Sequence, residues 1–266
     1  MVKEVRAKSI LTKSNIPGAD YCINPYVGCT HACKYCYARF MTKYSGHDEP
    51  WGEFVDAKVN AAELLRRQLE RRRTRGGSVL IGTVTDAYQP LERELGLTRA
   101  VLAALVGEGC AVAALTKSDL VARDVDVLGE LGGAAEMTIT SLDDDVRAAF
   151  EPGAPSPGRR LAALRILRDG GVRTSVSVGP VLPEFTDLRA IFEAVRDLAG
   201  GVRGESLNLR AVNRAAFETA LRRHFPERAS VFRKAVASAS YWEEVAATFE
   251  ELCAAFDLPS HGFHVH

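Results

Sequence analysis

The chain lacks the features that would send it into a membrane, out of the cell or onto a polyanion. In 266 residues there is no run of 18 or more apolar side chains, so no segment is apolar for long enough to span a bilayer. The opening Met1-Val2-Lys3-Glu4-Val5-Arg6 has no apolar core behind it, which removes the pattern of a secretory leader. Net charge is missing as well, because 34 Lys and Arg balance 34 Asp and Glu. Proteins that grip duplex nucleic acid draw much of their affinity from neutralised phosphates and usually carry a basic excess. Here only Arg66, Arg67, Arg71, Arg72, Arg73 and Arg75 gather, and they read either as a solvated helix end or as a phosphate-binding patch. No long polar tract interrupts a sequence that is 47% hydrophobic and 8% aromatic, which argues against disorder and for one sizeable core.

Cysteine is scarce too, six in all, and unevenly placed. Cys22, Cys110 and Cys253 stand alone and read as small buried hydrophobes. Cys29, Cys33 and Cys36 fall within eight residues. That distribution does not suit a disulfide framework and fits a reducing cytoplasm; with no second cysteine group, no auxiliary iron–sulfur site is expected. A closed zinc site takes four N or S ligands, and an electron-transfer [4Fe–4S] cluster takes four thiolates. Three thiolates on one tight loop can hold three corners of a cubane and leave the fourth iron open to a small chelating ligand. His31, inside the loop, is the alternative fourth ligand, which would make the chain a non-catalytic zinc- or cluster-binding module.

Short apolar runs alternate with amphipathic stretches. Strands are predicted at 21–27, 78–83, 111–116, 135–140, 172–178 and 206–210, and helices at 32–43, 57–73, 98–108, 119–131, 157–169, 187–198 and 214–224, with Gly or Pro at most junctions. Six β-then-α units imply a parallel sheet with helices outside, too few to close an eight-fold barrel. The fold class is α/β: a (β/α)6 partial TIM-type barrel with C-terminal helices. One domain suffices, with 1–20 as an N-terminal extension, 21–225 as the partial-barrel core and 226–266 as C-terminal helices (227–239 and 242–256) and tail. Trp242, Val245, Phe249, Leu252 and Phe256 recur at helical spacing and read as a core stripe covering an end or edge of the barrel. His261, His264 and His266 read as a frayed tail, with a lid or adventitious metal binding as alternatives.

The spacing of Cys29, Cys33 and Cys36, with Tyr35 just before the third cysteine, resembles the signature of the radical S-adenosylmethionine (SAM) superfamily. The flanks Asn24-Pro25-Tyr26-Val27-Gly28 and Tyr37-Ala38-Arg39 resemble its spore photoproduct lyase-like branch. So do Thr83-Val84-Thr85-Asp86-Ala87-Tyr88-Gln89-Pro90-Leu91-Glu92, Leu115-Thr116-Lys117-Ser118, Arg123-Asp124, the stretch from Thr138 to Asp143, Glu151-Pro152, Arg160-Leu161 and Gly179-Pro180-Val181-Leu182-Pro183, in order along most of the chain. The resemblance implies a [4Fe–4S] cluster on Cys29, Cys33 and Cys36, with the amino and carboxylate groups of SAM on the open iron. It also implies an external one-electron reductant of flavodoxin or ferredoxin type, and a 5′-deoxyadenosyl radical that takes hydrogen from substrate. Ligands of such sheets sit at the carboxyl ends of the strands, and the predicted helix 32–43 would aim its N-terminal N–H groups at the cluster.

Carried over residue by residue, the resemblance places Thr85 and Asp86 at the SAM ammonium, Lys117 at its carboxylate, Tyr35 against the adenine with Tyr37 close by, and Thr138 where the lyase has a serine that meets SAM. Each has a plainer reading, since strand-end Thr and Asp often cap helices and a lone Lys is usually solvated. Glu92, Glu151 and Arg160 are weaker candidates that could equally form structural ion pairs. One departure matters. Thr83 stands where the lyase has the cysteine that returns hydrogen to the product radical, and a hydroxyl O–H is too strong to replace a thiol there. The expected substrate is therefore a small molecule or peptide, with a nucleic-acid lesion lyase as the alternative.

Overall fold

A computed structural model describes residues 1–71 and 76–266. Arg72, Arg73 and Arg75 of the basic run, and the end of the predicted helix 57–73, lie outside the described residues; Arg66, Arg67 and Arg71 are exposed. The strands are β1 (Val2–Val5), β2 (Leu11–Lys13), β3 (Tyr21–Ile23), β4 (Tyr26–Val27), β5 (Val55–Lys58), β6 (Ser78–Ile81), β7 (Ala111–Thr116), β8 (Ala134–Thr138), β9 (Arg173–Val181), β10 (Val202–Ser206) and β11 (Ser260–His264). The large sheet runs β11-β10-β9-β8-β7-β6-β3-β2, while β1, β5 and β4 form a small separate sheet. Within the large sheet every pairing from β3 to β11 is parallel and only β2 runs antiparallel, against β3. The six strands β3 and β6–β10 are the predicted (β/α)6 partial barrel.

Side-chain alternation along these strands sorts the two faces of the sheet. In β8, Ala135 and Met137 are buried while Glu136 and Thr138 are half-buried; in β10, Val202, Gly204 and Ser206 are buried while Arg203 and Glu205 are half-buried. The buried hydrophobic members belong to a continuous apolar core with the helices, including Leu164, Ile191 and Phe192. The other row faces the inside of the curved sheet and carries charged or hydroxyl side chains in β8 and β10 and apolar ones in β7.

Several boundaries differ from expectation for identifiable reasons. The first predicted strand, 21–27, is broken at Asn24-Pro25 into β3 and β4. Pro25 has no N–H for a ladder, and the Asn24 amide instead bonds Thr83 Oγ1 (3.0 Å) and the Val84 N–H (3.1 Å). The chain then leaves the large sheet to pair with β5. No helix starts inside the cysteine loop: residues 32–36 are turns, Ala32 has φ of 53°, and only a 3-10 turn (Tyr37–Met41) and one α-turn (Thr42–Ser45) follow. The expected helix N-terminus facing the cluster is therefore absent.

The sixth strand lies at Val202–Ser206, four residues before the expected start at Ser206. A glycine inside a strand weakens it, yet Phe263 covers Gly204 so closely that an added Cβ would lie 2.2 Å from the Phe263 ring. Phe263 belongs to β11, the second correction. The His-rich tail is not frayed but forms an edge strand parallel to β10. The helix Ala239–Ala255, with Trp242, Phe249 and Leu252 buried, packs on β10 and β11, as the core stripe implied.

Candidate active site at the carboxyl ends of the strands

The cysteine loop follows β4 and is built from backbone constraints. Gly28 has φ of +88°, and a Cβ there would lie 2.3 Å from the Phe54 carbonyl oxygen, so glycine alone fits. Gln89, fully buried, clamps the loop: its Oε1 accepts from the Thr30 N–H (3.0 Å) and its Nε2 donates to the Gly28 carbonyl (3.2 Å). Thr85 Oγ1 donates to the same carbonyl at 2.5 Å. From the other side Gly153 donates to the His31 carbonyl (3.0 Å), Phe150 O accepts from the Lys34 N–H (2.8 Å) and Asn213 Nδ2 donates to the Tyr35 carbonyl (2.8 Å). Phe150 stacks on Phe217 and meets Phe185 and Phe225, so the loop rests on a rigid aromatic core.

All three cysteines are free thiols; Cys29 and Cys33 are buried and Cys36 half-buried. Among the described residues no three His, Cys, Asp or Glu side chains already converge as metal ligands. Burial pushes the Cys29 thiol well up, with Asp86 and the other two cysteines adding to it; burial likewise pushes Cys33 up to about 12 and raises Cys36. The three therefore lie close enough to repel one another as thiolates, and without a cation they stay protonated. The cation at hand is Lys117, just past the carboxyl end of β7. Its Nζ makes no hydrogen bond or ion pair with a carboxylate among the described residues and sits 5.5 Å from the centre of the Tyr35 ring. Burial works against its charge, but Cys33, Glu151 and Asp86 outweigh it and raise its pKa, so the ammonium persists at neutral pH. Three desolvated thiols beside an unpaired ammonium fit an anionic iron–sulfur group and a ligand bearing a carboxylate.

Asp86 is buried and fully engaged. Oδ1 accepts from the Tyr88 N–H (2.8 Å) and Thr116 Oγ1 (2.7 Å), and Oδ2 accepts from the Lys117 N–H (2.8 Å). His31 Nδ1 lies 3.2 Å from Oδ2, too poorly aligned for a hydrogen bond, and neither ring nitrogen of His31 has a hydrogen-bond partner. Burial would raise the Asp86 carboxyl, but His31 and the Lys117 and Thr116 donors hold it down at about 2. Asp86 thus joins the β6 and β7 loops to the cysteine loop, and Thr85 does the same through Gly28. Both position the loop in this geometry, from the end of the sheet where the resemblance places the SAM ammonium.

Tyr35 is buried, and its hydroxyl donates to Glu151 and lies 3.3 Å from Thr140 Oγ1. Glu151 also pairs with Arg160, whose other nitrogens donate to the carbonyls of Pro155 (3.0 Å) and Thr138 (3.1 Å). Burial would raise Glu151, but Arg160, Lys117 and the Tyr35 hydrogen bond bring it down to about 2. Glu92 serves a separate structural network with Tyr26, Thr98 and Arg123. Tyr37 is exposed, with its hydroxyl on the Thr83 carbonyl. Thr138 is half-buried on the inner face, and its hydroxyl makes no hydrogen bond among the described residues. Lys117, Tyr35, Thr138 and the cysteines are thus brought to one end of the sheet. Sequence reasoning missed Gln89 and Asn213, polar residues whose partners lie 59 and 178 positions away. A groove of about 990 Å³, lined by Asp143, Glu184, Asp187 and Arg228 among others, lies outside this region and includes no cysteine-loop residue.

The family model described as the radical SAM superfamily matches residues 23–198. An uncharacterised protein of Methanocaldococcus jannaschii is 31% identical over 264 residues, covering 99% of this chain and 97% of its own length. The radical SAM Nα-GlyT isomerase of Pseudomonas phage M6 is 27% identical over 175 residues, 64% of this chain and 35% of that protein. Among solved structures, spore photoproduct lyase complexed with dinucleoside spore photoproduct superposes with a TM-score of 0.71 at 17% identity, covering 99% of this chain and 82% of the lyase.

Proposed function

Since the chain is an enzyme belonging to the radical SAM superfamily, we propose that Cys29, Cys33 and Cys36 hold a [4Fe–4S] cluster with one open iron and that SAM binds beside it. When bound, that pair supplies a 5′-deoxyadenosyl radical after reduction by an external flavodoxin- or ferredoxin-type donor. The chain's own residues position and shield. Lys117 receives the SAM carboxylate, Tyr35 gives a fixed aromatic wall beneath it, and Thr138 offers a hydroxyl from the next strand. Tyr37 stands at the open side, where the adenine or the substrate enters. Asp86, Thr85 and Gln89 keep the loop in place, and Asp86 and Thr85 do so from where the SAM ammonium is expected. The observation that carries the reading is the unpaired Lys117 ammonium against Tyr35, within reach of Cys33 and Cys36 of the three-cysteine loop.

The substrate favoured is a small molecule or peptide. A relative carries the name of an Nα-GlyT isomerase, so lyase chemistry is not the only outcome met among similar chains. Thr83, whose hydroxyl accepts from Asn24 at 3.0 Å, stands where a thiol would be needed for lesion repair of the lyase type. Anaerobically reconstituted protein with SAM and a reductant should form 5′-deoxyadenosine, and Cys33→Ala should form none. Turnover that persists in Cys33→Ala would reject the cluster assignment.

A further inference from the structure

On the inner face of the sheet, strand register stacks polar side chains in rising rows. Glu136 stands beside Ser175, and Thr138 beside Ser177, which has Arg203 on its other side. One row higher, Glu205 stands beside His264. In the lower rows Arg203 Nη2 reaches Glu136 Oε1 at 2.7 Å, so those two charges offset each other. The upper row is not balanced. Glu205 Oε1 lies 3.1 Å from His266 Nε2, but Oε2 has no hydrogen-bond partner among the described residues. That oxygen lies 3.1 Å from where a Cβ on Gly179 would sit, which directs it across the inner face toward β9.

The row is built rather than incidental. His266 is fixed by its backbone N–H on Ser206 Oγ (3.0 Å), and His264 meets its ring edge-on at 4.5 Å. It is also reachable, since the Glu205 side chain keeps 42% of its exposure. Tyr37, directly after the third cysteine, lies within electrostatic reach of both Glu205 and Arg203. A carboxylate oxygen that water reaches and no protein group occupies is open to a charge-assisted hydrogen bond from a cationic ligand.

We propose that this row is the substrate-recognition site and that Glu205, steadied by His266, receives a cationic amine of the substrate. This rests on the radical SAM reading only for the identity of the reaction; the amine site itself is a property of β8–β11. It makes β11 part of the active enzyme and gives the substrate class as amine-bearing, an amino acid, peptide or aminated conjugate.

The test uses the full chain reconstituted with its cluster and SAM, and two probes of similar size: glycinamide, which carries an ammonium, and acetamide, which does not. Saturation-transfer NMR should detect glycinamide and not acetamide. Glu205→Gln should bind glycinamide about tenfold more weakly, the loss of one charge-assisted hydrogen bond, and His266→Ala about threefold more weakly through loss of positioning. Glu205→Asp should keep the preference for the ammonium. Circular dichroism checks that each variant is folded, and His266→Ala serves if Glu205→Gln is not. Equal binding of the two probes, or unchanged glycinamide binding in folded Glu205→Gln, overturns the proposal. Absence of 5′-deoxyadenosine from wild type with amine binding intact overturns the catalytic reading and leaves this site standing.

Discussion

Arg160 is almost completely buried, and its partner Glu151 nearly so. Removing one member of such a pair strands the other in a medium of low polarity, so Glu151→Ala should cost about 3–5 kcal/mol, read as a drop in thermal midpoint. Glu151 and Asp86, both held at about 2, also set an acid dependence. A depressed carboxyl contributes stability that is complete above its unfolded value of about 4 and is lost as pH falls through the folded value. The midpoint should therefore decline as pH drops from about 4 toward 2, and less steeply in Glu151→Gln. An acid profile identical to wild type in that variant would contradict the assignment. Lys117→Met should weaken SAM binding by about tenfold, as expected for one charged contact, while iron content stays unchanged. The cysteine cluster is legible in its spacing, whereas Lys117 was singled out through the family resemblance, and the fold places both at one end of the sheet. Asp86 was singled out through the resemblance, and the fold adds its bonds to Tyr88, Thr116 and Lys117, which no local spacing shows.

At the scale of elements, the cysteine loop is shaped by what presses on it. A Cβ on Gly153 would lie 2.1 Å from the Thr30 carbonyl oxygen, and no flexible side chain there can yield. Gly153→Ala should push the loop away from its Gln89 clamp and reduce iron incorporated on reconstitution, with the barrel's circular dichroism retained. Full iron uptake would show that the contact is not needed. The strand at Ala111–Thr116 and the helix at Pro157–Asp169 were read to the residue, because alternation or an N1 proline marks them locally. The sixth strand was misplaced because its glycine makes sense only once Phe263 covers it. The loop after β4 was misread as helix because its turns are dictated by Gln89, Phe150, Gly153 and Asn213, none of which lies within the loop's own sequence.

At the scale of the whole molecule, the edge strand β11 closes one side of the sheet. Truncation after Leu258 would bare the β10 edge and uncover Gly204 and Phe249, which packs against Phe263. The shortened chain should lose several degrees of thermal midpoint, where about 1 kcal/mol corresponds to 2–4 °C in a domain of this size, and should self-associate through the open edge, visible by size-exclusion chromatography. A monomer with an unchanged midpoint would show that β11 is dispensable to the fold. The partial barrel was legible as a whole because six β-then-α units repeat along the chain. Its seventh parallel strand was not, because a short segment holding two histidines and a glycine has no strand signature of its own and is ordered by the helix Ala239–Ala255 and β10 beneath it.

The central claim is a cluster fastened at three corners, with its remaining iron accessible to SAM. Electron paramagnetic resonance of the dithionite-reduced, reconstituted protein tests it most directly. About four irons per chain should accompany a [4Fe–4S] signal, and that signal should change shape when SAM is added and keep its SAM-free shape in Cys33→Ala if any signal remains. A colourless protein with one tightly held zinc, or a cluster signal indifferent to SAM, would contradict the account.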